Sequence, residues 1–162
     1  MFAGASAISY KASAPERTAS GEVLEAGARK NRNIPMAIFT HVVLGTNDLD
    51  RSKKFYNAAL GALGLKPIGP LGANGFMWGN KGPEFMVTKP ANGLPATYAN
   101  GGTLGFAAPD RKSVHAFHEA GIANGGTCEG KPGPRTFTPT AYAAYLRDPD
   151  GNKICTYCFA AE

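Results

Sequence analysis

Three cysteines, one tryptophan and no apolar run near the roughly 18 residues of a membrane span mark this 162-residue chain by what it lacks. The missing run argues against a membrane partner. The odd cysteine count, without a disulfide-framework spacing, fits reduced thiols and a cytoplasmic setting. Cys155-Thr156-Tyr157-Cys158 has the form of a Cys-x-x-Cys motif but lies in a strand-like run, Lys153 to Phe159. In an extended strand, residues i and i+3 point to opposite faces and sit about 10 Å apart, beyond the roughly 7 Å a disulfide tolerates. The formal charge is only +5, with no Lys/Arg-rich block or basic helix stripe, so a nucleic-acid partner is not expected. The mild basicity tilts toward an anionic small ligand. The first 35 residues are poor in large apolar side chains and cannot fold alone. They lack the basic and strongly apolar segments of a secretory signal, and Glu16, Glu22 and Glu25 are unlike a transit peptide. They read as an N-terminal extension, poorly ordered or upstream of a start at Met36.

What is present is an internal repeat. His41-Val42-Val43-Leu44 matches Thr103-Leu104-Gly105-Phe106 at an offset of 62, and Asp48, Phe55, Ala58 and Gly64 fall on Asp110, Phe117, Ala120 and Gly126. At an offset of 69, Phe76 falls on Tyr145, Gly82 on Gly151, Phe85 on Ile154 and Met86 on Cys155. A period of about 60 residues exceeds the usual solenoid repeats and points to two copies of one α+β unit.

Each copy reads as βαβββ. In the first, strand Ile38–Leu44 precedes a helix over Leu49–Gly61 capped by Asn47 or Asp48, with Leu49, Phe55, Tyr56, Ala59 and Leu60 as its apolar stripe. Strands near Lys66–Ile68, Gly75–Gly79 and Pro83–Thr88 follow, separated by turn signals. In the second, strand Thr103–Ala108 precedes a helix over Arg111–Asn124 that buries Val114, Phe117 and Ile122. A long loop, Gly130–Pro139, carries Arg135, and Tyr142–Arg147 and Asn152–Phe159 form a hairpin about Asp148-Pro149-Asp150-Gly151. Alternation places Tyr157 on one face with Cys155, and Ile154 and Thr156 on the other. The fold expected is therefore α+β: two tandem βαβββ modules, 36–90 and 99–162 joined by a linker at 91–98, pairing into a cup-shaped, half-barrel mixed sheet with the helices outside.

His41-Val42-Val43-Leu44, the Asn47-Asp48-Leu49-Asp50-Arg51-Ser52 cap, Phe55-Tyr56, Leu63-Gly64-Leu65 and the hairpin Asp148-Pro149-Asp150-Gly151-Asn152-Lys153-Ile154 resemble the vicinal oxygen chelate superfamily. That superfamily includes glyoxalase I, bleomycin-resistance proteins and extradiol dioxygenases, and the resemblance spans 36–162. In its metal-dependent members each module gives two ligands, usually His and Glu, to one divalent ion in the cup. Carried across, the four positions are His41, Met86, Thr103 and Cys155. Only His41 matches, so no metal is expected; were one bound, His41 would hold it with Glu84 or Cys155. The resemblance implies a cup lined by His41, Met86, Thr103, Cys155 and Tyr157, with Arg135 near its mouth.

Two functions follow from the resemblance. One is a cofactor-free protein that binds a small, partly apolar molecule in the cup. The alternative is a lyase or isomerase of the glyoxalase I type, or a dioxygenase, using Zn, Ni, Mn or Fe through an atypical ligand set. A homodimer is expected in either case. His115 and His118 are placed on an exposed helix face outside the cup.

Overall fold

A computed structural model describes residues 39–136 and 138–161, and the extension read at 1–35 lies outside them. The described residues fall in a single compact unit, Ala37–Glu162. Strand β1 (Val42–Gly45), helix α1 (Leu49–Gly61) and strands β2 (Lys66–Leu71), β3 (Gly75–Gly79) and β4 (Phe85–Thr88) make the first module. The second has β5 (Leu104–Ala107), α2 (Arg111–Ala123), β6 (Thr127–Pro134), β7 (Tyr142–Arg147) and β8 (Lys153–Cys158). Two four-stranded mixed sheets result, ordered β1-β4-β3-β2 and β5-β8-β7-β6, each with one parallel pair beside an antiparallel meander. The architecture is the α+β tandem that the repeat implies.

Both helices start at an aspartate. Asp48 and Asp110 have extended backbones, and their carboxylates accept from Arg51 N and Ser113 N, the donors a helix start leaves unpaired. Each helix packs on one face of its sheet, and the two helices pack on each other. The aromatic cluster of Phe55, Tyr56, Trp78 and Phe85 is buried there. Phe85 meets Phe106 of the other module edge to face, with centroids 5.4 Å apart. Ile154, Thr156 and Cys158 are buried on the α2 side of β8, as alternation requires.

The repeat is exact at the first and last strands of each module and drifts in between. Val42 pairs with Phe85 and Leu104 with Ile154, which reproduces the offsets of 62 and 69. In the hairpins, however, Trp78 pairs with Phe85 whereas Leu146 pairs with Ile154, so the second hairpin holds one more residue. Phe76 thus corresponds to Ala144, not Tyr145. Phe76 packs against the core, while Tyr145 lies opposite Cys155 on the other face. A similar slip at the helix ends makes Gly125, at φ 94°, the counterpart of Gly64 at φ 84°.

Two more expectations change. The stretch read as a loop from Gly130 contains most of β6, an edge strand with two register shifts, where glycine and proline are tolerated. Ile122 is 41% exposed, and Gly121 takes the buried place. The reason is Leu146 of β7, whose Cδ1 lies 2.3 Å from where a Cβ at Gly121 would stand, with the Phe55 ring of α1 at 3.3 Å. The same ring lies 2.6 Å from a Cβ at Gly126, so Phe55 crowds both glycines from the other module.

The hairpin between β7 and β8 ties the modules together. The Asp150 side chain is 2% exposed and accepts five hydrogen bonds from the start of the first helix. The donors are Thr46 Oγ1 (2.7 Å), Asn47 N (3.0 Å), Asn47 Nδ2 (3.2 Å), Arg51 Nη2 (3.2 Å) and Ser52 Oγ (3.0 Å). Asp148 accepts from Tyr56 Oη at 2.7 Å and from Asp150 N, Asn152 N and Asn152 Nδ2. Asn152 Nδ2 also reaches Gly45 O at 3.2 Å.

Burial raises the Asp150 carboxyl, but bonds from Asn47, Thr46 and Ser52 and the charge of Arg51 outweigh it, so the group titrates below its usual value. Its stabilisation is complete above the unfolded carboxyl value of about 3.9 and is lost as pH falls through the lower native value. Asp148 has the opposite sign. Burial lifts it above the usual value despite bonds from Tyr56 and Asn152, so its ionised form opposes folding as pH rises through that raised value.

Asp150→Ala is expected to lose about 1–3 kcal/mol at pH 7, because it strands several donors. Urea melts should show the deficit shrinking only as pH falls below the unfolded carboxyl value of about 3.9; a deficit independent of pH would contradict the assignment. Gly126→Ala places its Cβ 2.6 Å from the Phe55 ring and 2.9 Å from Arg147 O. It should lower stability by about 1–3 kcal/mol through overpacking, readable as a lower thermal midpoint.

Candidate functional site

The residues singled out by the sequence do not gather in one place. His41 stands just before β1, exposed, with Nδ1 3.1 Å from Thr40 Oγ1. It lines a groove of about 580 Å³ with Phe39, Lys81, Gly82 and Glu84. The Glu84 backbone carbonyl accepts from Val42 N, and its Oε2 accepts from Asn80 N at 2.9 Å. Met86 on β4 is 8% exposed, between its neighbours Val43 on β1 and Met77 on β3. Thr103, ahead of β5, lines a smaller cavity of about 260 Å³ with Val42, Leu44 and Lys153.

On the second sheet three predicted residues gather around Tyr145. Cys155 is opposite it in the ladder and 4% exposed. Tyr157 Oη is hydrogen-bonded to Tyr145 Oη, and their rings meet edge to face with centroids 5.9 Å apart. The Arg135 guanidinium lies 5.4 Å from the Tyr145 ring centroid. It is also fixed by three backbone carbonyls, donating to Gly133 O (3.1 Å), Pro134 O (3.0 Å) and Lys131 O (3.0 Å). Arg135 therefore braces the irregular strand β6 besides bringing charge. Lys153 Nζ is 5.4 Å from the same ring centroid and bridges at 3.3 Å to Glu129, which Arg147 contacts at 2.6 Å. Those two partners hold the Glu129 carboxyl below its usual value.

Beside Tyr157 a recess of about 680 Å³ is lined by Gly105, Phe106, Ala107, Ala108, Tyr157 and Phe159. The Tyr157 and Phe159 rings stack at 5.6 Å with an angle of 13° between their planes. Sequence reasoning named Tyr157 but not the small residues beside it. The parallel pairing of β5 with β8 sets Gly105 against Cys155 and Ala107 against Tyr157, a register that no local sequence signal carries. The groove at His41 is built from module-one residues and this recess from module-two residues.

The electrostatics favour neutral groups. Burial pushes the Cys155 thiol up to about 11, only partly offset by the charges of Lys153 and Arg135. Burial, then the bond to Tyr145, pushes Tyr157 up to about 12. At neutral pH Cys155 is a thiol and Tyr157 a phenol. A thioether, a hydroxyl and a protonated thiol at Met86, Thr103 and Cys155 do not fit a hard divalent ion, which takes carboxylate and water oxygens. Among the described residues no three His, Cys, Asp or Glu side chains cluster as a metal site. His115 Nε2 is 2.7 Å from Tyr142 Oη, and His118 Nε2 is 3.2 Å from Cys128 Sγ. These contacts lie on the α2 side of the second sheet, outside the site.

The family model for the Glyoxalase/Bleomycin resistance protein/Dioxygenase superfamily matches residues 38–156. A solved glyoxalase/bleomycin resistance protein from Albidiferax ferrireducens T118 is 52% identical, with a TM-score of 0.68 over 75% of this chain and 98% of that one. A lactoylglutathione lyase from Agrobacterium tumefaciens is 23% identical, with a TM-score of 0.53 over 76% and 94% of the two chains. A glyoxalase-related enzyme from Fulvimarina pelagi is 18% identical, with a TM-score of 0.59 over 75% and 88%. The last two likenesses are of fold alone. No curated protein matches the chain.

Iodoacetamide at pH 7.5 should label Cys128, which is exposed, and spare Cys155 and Cys158, which are buried. Cys155 labelling should rise only as pH approaches its value of about 11. Mass spectrometry showing Cys155 alkylated as fast as Cys128 at pH 7.5 would contradict a buried, protonated thiol.

Proposed function

Because the chain belongs to the glyoxalase/bleomycin resistance/dioxygenase superfamily and presents Met86, Thr103 and Cys155 at three ligand positions of that fold, we propose that it binds a small, partly apolar molecule without a divalent ion. Cys155 carries the reading. In this position a carboxylate would supply both an anionic ligand and a proton acceptor. A thiol with a value of about 11 supplies neither at neutral pH. What the second sheet offers instead is an apolar recess, a phenol pair and two cations near Tyr145. Those features support selective binding rather than bond-breaking.

A homodimer belongs to the same proposal. Val43 is 42% and Phe159 54% exposed, and a second copy laid over these faces would deepen both cavities. The three free cysteines suit a cytoplasmic setting. No helix among the described residues is long and apolar enough to cross a membrane.

One observation favours the metal-dependent alternative: His41 and Glu84 line the same groove. A glyoxalase-type lyase or isomerase, or a dioxygenase, would need further ligands from water or substrate there.

Elemental analysis of untagged protein separates the two readings. Binding without metal predicts no stoichiometric ion, and no change in thermal midpoint on adding Ni²⁺, Zn²⁺, Mn²⁺ or Fe²⁺. One tightly held ion per chain that disappears in His41→Ala would overturn the proposal.

A further inference from the structure

Building on the metal-free binding reading, we propose that the recess on the second sheet is a subsite for a flat aromatic ring carrying one negative charge. The shape of the recess comes from side chains that are small or planar. Gly105 and Ala107 add little bulk beyond the β5 backbone, and the near-parallel rings of Tyr157 and Phe159 form a wall. A volume of about 680 Å³ lies within the few hundred to about 1,000 Å³ typical of small-ligand sites. Aromatic rings prefer offset or edge contacts with other rings, which this wall provides, and a flexible chain would lose more entropy on being held there.

The charge preference comes from the next shell of residues. None of the six lining residues is acidic. Tyr145, bonded to Tyr157, has both Arg135 and Lys153 within 5.4 Å of its ring centroid. The nearby carboxylate, Glu129, is held by Arg147 and Lys153 and is turned to its own ion pairs. Three carbonyls occupy three of the five N–H donors that a guanidinium carries. The remainder can meet an anion at the rim. A cationic ring would face the two positive charges, and a neutral ring would gain only the stacking.

Isothermal titration of the full chain, in chelator, with four probes tests this: naphthoate, naphthalenemethanol, naphthylmethylamine and octanoate. Naphthoate should bind about tenfold more tightly than naphthalenemethanol, an increment of about 1.4 kcal/mol for a charge-assisted contact. Naphthylmethylamine and octanoate should be weaker still. Gly105→Leu should abolish naphthoate binding while keeping the urea midpoint, because an added Cβ meets only Cys155 Sγ, at 3.4 Å. Arg135→Gln should bring naphthoate and naphthalenemethanol to near-equal affinity; its brace on β6 makes Gly105→Leu the independent control. Equal affinity of the acid and the alcohol for the unmodified chain would overturn the charge assignment. Octanoate binding without naphthoate binding would overturn the aromatic subsite and leave metal-free binding standing. Naphthoate binding that requires added Zn²⁺ or Mn²⁺ would overturn the metal-free reading, and this inference with it.

Discussion

One buried carboxylate holds the two halves in register. Asp150 comes from the last hairpin of the second module, yet its hydrogen-bond donors are the residues that start the first module's helix. The positive end of a helix dipole is a natural place for a carboxylate, and Asp48 already serves as the cap, so two acids share one helix start. Asp148, two residues earlier, receives the Tyr56 hydroxyl from the next turn of that helix. Because a desolvated carboxylate is costly unless fully bonded, the contact has little freedom to slide. Burial of Asp148 opposes folding at neutral pH, while the bonds to Asp150 favour it.

From that register the rest of the structure follows. With the hairpin seated on the first helix, Phe55 reaches the glycines of the second, and Phe85 reaches Phe106 across the seam. The largest buried side chains of both modules, among them Trp78, Phe55, Phe85 and Phe117, sit on the helix side. Away from the helices the two modules have diverged. The first presents a polar groove at His41 and Glu84, the second an apolar recess flanked by basic side chains.

Much of the fold was legible in the sequence. The first helix runs as read from Leu49 to Gly61, since an aspartate cap and terminal glycines are local signals. The face shared by Cys155 and Tyr157 follows from strand alternation and is found as expected. The signals that failed depend on distant partners. Ile122 looked like the buried member of its helix, but Leu146 of β7, with Phe55 from the other module behind it, packs onto the adjacent glycine. Strand β6 was hidden by glycine and proline, which an edge strand with register shifts accommodates. The hairpin at Asp150 read as a turn because its donors lie about a hundred residues away in sequence. For the candidate site, the grouping of Cys155, Tyr157 and Arg135 around Tyr145, and the separation of His41 from them, are products of tertiary packing.

Native-state hydrogen exchange tests the clamp most directly. If the carboxylate makes one cooperative unit of two modules, amides in the core of α1 and in β8 should exchange through the same global opening, with equal free energies and equal response to denaturant. Asp150→Asn should split them, with α1 opening at lower cost than β8. Separate opening of the two modules in the unmodified chain, unaffected by Asp150→Asn, would contradict the account.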